Sequence, residues 1–212
     1  MRKAQFITLE GIEGAGKSTA ARHVADFLRH RGLTVVTTRE PGGTPLAERV
    51  RQIVLERGTE DLSPVTETLL MFAARALHVN NVIRPALARG EWVVCDRFTD
   101  ATRAYQGSGR GVDAALIESL ARAVHGDLAP HCTLLLDLPV ATGLARARAR
   151  TGAATDRFEA ETRNFFEKVR AGYLAIAQAE PARVRVIDAA VPLHEVLQAL
   201  EAVLVRLTAD SA

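Results

Sequence analysis

Apolar residues follow two rhythms along this chain. Short, nearly continuous runs at 5–10, 33–38, 92–96, 133–137 and 184–188 read as strands, and the longer stretches between them repeat their apolar positions at helical spacing. Strands alternating with helices predict βα units and a parallel sheet. The run Leu134-Leu135-Leu136 is apolar on both sides of the pleat, which suits a strand covered on both faces. The expected fold class is therefore α/β: a five-stranded parallel sheet flanked by helices on both faces, built as one unit over 1–212.

Local signals place the helices. The first runs from Lys17 to about Arg31, burying Ala20, Val24, Phe27 and Leu28, with Gly32 as its C-terminal stop. Pro45 opens the next after the rigid stretch 39–44, and Ser63-Pro64 supplies a cap and a first-turn proline for a helix carrying Leu69, Leu70, Phe72, Ala73, Ala76 and Leu77. Gly90 closes the helix before the third strand. Residues 99–106 read as helical, 107–111 as a flexible glycine-rich loop, and Asp113 as the cap of the following helix. Further helices are expected at 159–178 and 192–207. Between them and the fourth strand, 146–157 interrupts the helical pattern with Thr151-Gly152-Ala153-Ala154-Thr155 and reads as a mobile lid.

One stretch carries chemistry by itself. Gly11-Ile12-Glu13-Gly14-Ala15-Gly16-Lys17-Ser18-Thr19 fits G-x-x-x-x-G-K-[ST] and lies between the first strand and the first helix, the context that a phosphate-binding loop needs. Glycines at 11, 14 and 16 let the backbone turn its N–H groups around a polyphosphate, and the helix that follows adds its own free amides and partial positive charge. Lys17 is the mobile charge for the β and γ phosphates, and the Ser18 hydroxyl is a hard oxygen ligand for Mg²⁺. Glu13 is an acid inside an anion-binding loop, unfavourable unless it faces a cation or a hydroxyl donor. Asp96-Arg97-Phe98 falls at the carboxyl end of the third strand, where open parallel sheets place ligands.

Composition narrows the class. The chain has 212 residues, is 48% hydrophobic and 25% charged, and carries a net charge of +2, which argues against a nucleic-acid partner. No apolar run approaches membrane-spanning length, and the first ten residues reach an acid before a signal core could form, so a cytoplasmic protein is expected. Cys95 and Cys132 sit in strand-like runs and read as small buried thiols. Two function classes remain: a phosphotransferase with a small acceptor, or a nucleotide-gated switch. The chain has neither an Asn-Lys-x-Asp guanine reader nor an Asp-x-x-Gly, and it does have extra cations and an arginine-bearing segment suited to closing a water-free site.

At this point the chain resembles the thymidylate kinase family of P-loop nucleoside monophosphate kinases. The resemblance runs through the phosphate loop, Thr38-Arg39-Glu40-Pro41-Gly42-Gly43-Thr44, Asp96-Arg97-Phe98, Ala104-Tyr105-Gln106-Gly107 and Asp156-Arg157-Phe158-Glu159. It implies ATP-dependent phosphorylation of dTMP to dTDP, dependence on Mg²⁺ and a homodimer. It assigns Gly11, Ile12, Glu13, Gly14, Ala15, Gly16, Lys17, Ser18, Thr19 and Arg146 to ATP, and Ser18 and Asp96 to the metal. Arg51 and Arg97 look like the binders of the dTMP phosphate, Glu13 like the group on the 3′-hydroxyl side or on Mg²⁺, and Tyr105 like the ribose-side tyrosine. Arg75, Thr102 and Gln106 resemble the base-edge residues, with Phe72, or Met71 four residues before Arg75, covering the base. Phe98 stands where the family commonly has a tyrosine. Ala15 offers no charge where some members have an arginine, so the resemblance draws the catalytic arginine from Arg146, Arg148 and Arg150, with Arg150 favoured alongside Lys17, Arg97, Glu13 and Asp96.

Overall fold

The expected strands form, their ends shifted by at most two residues: β1 (Phe6–Glu10), β2 (Val35–Arg39), β3 (Trp92–Asp96), β4 (Cys132–Asp137) and β5 (Val184–Asp188). They make one five-stranded sheet in the order β2-β3-β1-β4-β5, parallel at every pairing. The computed structural model describes residues 4–56, 62–151, 157–158 and 161–209, without the side chains at 150 and 151. Helices fill the connections: α1 (Lys17–His30), α2 (Pro45–Leu55), α3 (Pro64–His78), α4 (Arg84–Ala88), α5 (Thr99–Thr102), α6 (Ala114–His125), α7 (Val140–Thr151), α8 (Arg163–Ala179) and α9 (Leu193–Ala209).

Both faces of the sheet are covered. Ile7, Leu9 and Val94 belong to one buried cluster with α1, α8 and α9, whereas Phe6, Val93 and Cys95, one residue out of phase, belong to another with Val79, Ile83 and Ala86. Period-2 alternation with apolar residues on both sides is what a central parallel strand requires. Helix starts follow the capping signals. Thr44 accepts from the Ala47 amide at 3.2 Å, Ser63 from Thr66 at 3.1 Å and Asp113 from Ala115 at 2.9 Å, with prolines at the first turns of α2 and α3.

Several sequence expectations fail, each for a physical reason. Residues 107–109 are not a loop: Arg103–Gly109 is a π-helical segment continuing α5 and packed on α8. The glycines there serve close approach, since a Cβ on Gly109 would lie 2.6 Å from the Phe165 ring and one on Gly172 would lie 2.4 Å from Ser108 Oγ. A second π-helical segment, Val79–Ile83, joins α3 to α4 directly before Pro85, which has no amide to donate. The burial of α3 follows its apolar pattern only in part, with Phe72 buried and Leu70, Ala76 and Leu77 half-buried. Its buried positions include Glu67, Thr68, Arg75 and His78, while Leu69 and Ala73 are exposed. The apolar count of that helix misled because its inner face lines a polar recess. Phe27 is only partly buried, its ring covered by the Arg31 guanidinium at 3.8 Å. Residues 146–151 continue α7, so the first half of the expected lid is helix; 152–156 lie outside the described residues.

β1 and β3 are neighbours, with Leu9 opposite Asp96. The phosphate loop that follows β1 and the Arg97 turn that follows β3 therefore leave the sheet side by side, above the carboxyl ends of the strands.

Candidate active site

A cavity of about 490 Å³ opens at those strand ends. Its walls include Glu13, Gly14, Gly16, Lys17, Ser18 and Thr19 from the phosphate loop, Arg51 from α2, Met71 and Arg75 from α3, Asp96 and Arg97 from β3 and its turn, and Thr102, Tyr105 and Gln106 from α5 and the π-helical segment. Residues drawn from five parts of the sequence thus meet in one recess.

The loop is shaped by close backbone approach. Gly14 has φ +74°, and a Cβ there would lie 2.0 Å from the Gly143 carbonyl oxygen of α7. Lys17 folds back and donates to the carbonyls of Gly11 at 3.0 Å and Ile12 at 2.9 Å. Burial, reinforced by the Arg97 charge, lowers its pKa to about 8. That is the state of a cation waiting for an anion. Ser18 donates to Asp96 Oδ2 at 3.1 Å, so a hydroxyl and a carboxylate share one wall. Two hard oxygen donors beside a phosphate loop fit Mg²⁺, which takes its other ligands from phosphates and water. Gly11, Ile12 and Ala15 form the loop's buried underside, while Arg146 donates to the Ala189 carbonyl at 2.7 Å, outside the cavity walls.

Arg97 is held by three side chains. Its backbone takes φ +73°, uncommon for a residue with a side chain, and its amide donates to Leu9 O at 2.9 Å. The guanidinium donates to Glu13 Oε1 at 2.9 Å and to the phenol oxygens of Tyr105 at 2.9 Å and Tyr173 at 3.1 Å. Burial works against its charge, but Tyr105, Tyr173 and Glu13 outweigh this and hold it protonated. Glu13 also accepts from Tyr105 at 2.6 Å, so the loop acid meets both a cation and a hydroxyl donor. Beneath them Glu10 accepts from the Phe98 amide and from Tyr173, each at 2.7 Å; burial, with repulsion from Asp100, raises its pKa to about 8. Arg51 donates to Pro41 O at 3.0 Å at the cavity edge.

The opposite end is buried and polar. Arg75 donates to Glu40 Oε2 at 2.7 Å, to the Phe98 carbonyl at 3.0 Å and to Thr102 Oγ1 at 3.2 Å. Glu40 also meets His78 Nδ1 at 2.9 Å; burial opposes its charge, but Arg75 and His78 hold its pKa below the usual value. Gln106 donates to Glu67 Oε1 at 2.6 Å, and Glu67 also receives Arg110 and Arg157. Phe72 does not line the cavity. It packs with Val112, Ile117 and Ala121 against α6, and Met71 takes the cavity-facing position one residue earlier on α3. Glu40, Glu67, Tyr173, His78 and Phe158 were not expected as site residues. A signal for some of them exists: Glu67, Arg75 and His78 lie at helical spacing with Met71 between them, a polar stripe on an otherwise apolar helix.

Comparison with known proteins decides the family. The thymidylate kinase family model matches residues 9–200. The chain belongs to the thymidylate kinase family. It is 58% identical over 199 residues to a thymidylate kinase of Pseudomonas fluorescens, covering 94% of each chain. It is 56% identical over 201 residues to one of Alkalilimnicola ehrlichii, covering 95% of this chain and 92% of that one. A crystal structure of thymidylate kinase from Ehrlichia chaffeensis superposes with TM-score 0.75 at 33% identity, covering 94% of this chain and 98% of that one. The family's reaction, phosphorylation of dTMP to dTDP, is this chain's reaction, and the family uses ATP. No helix among the described residues is long and apolar enough to cross a membrane.

Proposed function

We propose that the cavity works as a two-ended clamp, with ATP phosphates in the loop at one end and dTMP laid from Arg97 to Arg75 across the other. The observation that carries this reading is that one cavity joins the phosphate loop to a buried donor and acceptor edge. Loop amides and the α1 N-terminus hold the polyphosphate, and Lys17 leaves its loop carbonyls to meet it. Arg51 and Arg97 hold the dTMP phosphate, Glu13 and Tyr105 the sugar side, and Arg75, Thr102 and Gln106 the base edge, with Met71 against its face.

In the reaction the bond from the γ-phosphorus to the ADP oxygen breaks, and a bond to a dTMP phosphate oxygen forms. That oxygen is already anionic, so no general base is required. The protein contributes alignment and charge. Arg97 arrives preorganised by its three partners, which removes the reorganisation cost that a free side chain would carry. Ser18 and Asp96 would hold Mg²⁺, which supplies charge neutralisation on the phosphates. The arginine-bearing end of α7, with a lid at about 146–157, adds the charge that Ala15 lacks; Arg150 is the favoured donor, though its side chain lies outside the described residues.

A homodimer is part of the reading. Leu46 and Ile53 on α2 and Val65 and Leu69 on α3 are 45 to 52% exposed on two helices that pack together, an apolar area suited to a second copy. Cytoplasmic placement is supported by two buried free thiols, Cys95 and Cys132. The decisive experiment is ADP release measured across a panel of nucleoside monophosphates. dTMP is expected to give the highest kcat/KM, and turnover unchanged by every acceptor would sink the two-ended clamp.

A further inference from the structure

Arg75 can only donate, so its contribution to base recognition is settled by its chemistry. Gln106 is different. Its amide can present either a donor or an acceptor, and the two are related by a half-turn of the side chain. Whichever end faces the cavity decides which base edges are accepted.

We infer that Glu67, which lies behind the cavity wall and is not among its lining residues, is the positioning residue that sets this polarity and thereby selects an imide base edge over an amidine edge. It accepts from Gln106 Nε2 at 2.6 Å and is itself fully buried. Both Glu67 oxygens already accept from guanidiniums, those of Arg110 and Arg157, so neither is placed to donate to a Gln106 carbonyl. The amide nitrogen of Gln106 is thus committed to Glu67, and the carbonyl oxygen is the end left to the cavity that Gln106 lines. Gln106 is only 2% exposed, which makes a wrongly turned amide costly.

The consequence follows from base chemistry. A thymine or uracil edge carries a carbonyl beside an N–H, which complements a donor at Arg75 and an acceptor at Gln106. A cytosine edge carries an amino group beside an unprotonated ring nitrogen, which sets donor against donor and acceptor against acceptor. The inference rests on the base lying against Arg75 and Gln106, as proposed above.

The test is Glu67→Gln, read as the ratio of kcat/KM for dTMP to that for dCMP. Two arginines claim the one oxygen of the new amide, so its nitrogen faces Gln106, which must then accept and turn its own nitrogen to the cavity. The ratio is expected to fall about ten-fold or more, the scale of one mispaired buried polar group. Adding Gln106→Glu to that variant returns an acceptor to the cavity, and the ratio is expected to recover. Arg157→Ala removes a partner of Glu67 without changing amide polarity, so it should lower both rates and leave the ratio alone.

Equal loss for both substrates in Glu67→Gln, or a ratio that falls as far in Arg157→Ala, overturns the role given to Glu67. Should Glu67→Gln not fold, the double variant still decides: a ratio near wild type supports the inference, and a collapsed ratio refutes it. Gln106→Leu separates the two layers. A dTMP to dCMP ratio unchanged by that substitution would show that the base lies elsewhere, a failure of the placement rather than of Glu67 alone.

Discussion

The two ends of the cavity are built on opposite plans. At the end proposed for the ATP phosphates most of the functional atoms come from consecutive residues, Gly11 to Thr19, and rest on backbone geometry, with Asp96 joining them through Ser18. At the end proposed for the base the polar side chains are held by others from distant parts of the chain: Arg75 by Glu40, Gln106 by Glu67, Glu67 by Arg157. A phosphate needs charge and amides, which a short loop can supply. A flat heterocycle needs donors and acceptors aimed to within a fraction of an ångström inside an apolar wall, and only a braced network provides that. Function and stability should therefore separate at the first end and coincide at the second.

Lys17→Ala gives the sharpest version of the contrast. Among the described residues the Lys17 ammonium donates to its own loop carbonyls alone, so its loss should lower kcat by about 10³-fold or more through lost charge on the transferring phosphoryl group, with little change in melting temperature. A large drop in melting temperature would mean the loop is braced as tightly as the base end.

Arg150→Ala extends the same contrast to the proposed lid. An arginine engaged only in the transition state lowers kcat and kcat/KM together. A fall in kcat of roughly 10³-fold is expected, the lower part of the range for arginine fingers. A change confined to the KM for ATP, or the same kcat loss in Arg148→Ala, would move the catalytic charge to another residue. Arg146 is the weaker candidate because its guanidinium is held at Ala189 O.

Arg75→Ala should behave in the opposite way. It would take from Glu40, a buried carboxylate 4% exposed, its permanently charged partner and leave it to His78, so a stability loss of about 3 kcal/mol in denaturant unfolding is expected. The same change should weaken dTMP binding by about 1 to 3 kcal/mol and leave ATP binding nearly constant. Weakened dTMP binding without any loss of stability would break the comparison, because it would show that the base end is not braced.

The same difference governed what could be read in the chain. The phosphate end was legible because its chemistry demands particular residue types at adjacent positions, and the strand and helix on either side could be checked against it. The partners at the base end are separated by 35 residues for Arg75 and Glu40, 39 for Gln106 and Glu67 and 90 for Arg157 and Glu67, so no local pattern announces them. Glycines at 107 and 109 look like flexibility in the sequence but serve helix contact, and of the two residues that the resemblance offers for the base, Phe72 packs toward α6 while Met71 lines the cavity. The sheet itself was easy, since each strand is a contiguous apolar run.

The smallest expected effect is a fraction of a proton, and it locates charge at the phosphate end directly. Lys17 titrates at about 8 in the free protein because burial and Arg97 penalise its charge. A bound polyphosphate supplies the missing counter-charge and must raise that pKa. Well below pH 8 the lysine is protonated with or without ligand and takes up almost nothing. At pH 8 about half of it is neutral when free, so binding should take up roughly half a proton, and affinity should fall as pH rises from there toward the bound-state pKa. Calorimetry of ATP binding in buffers of different ionisation enthalpy measures this uptake. Glu10 also titrates at about 8, and an approaching anion would raise its pKa as well, so the uptake has two possible sources. Lys17→Met removes the first and Glu10→Gln the second. If the uptake survives Lys17→Met in full and disappears in Glu10→Gln, the proton belongs to the buried acid under Arg97, and the loop lysine is already charged before the phosphate arrives.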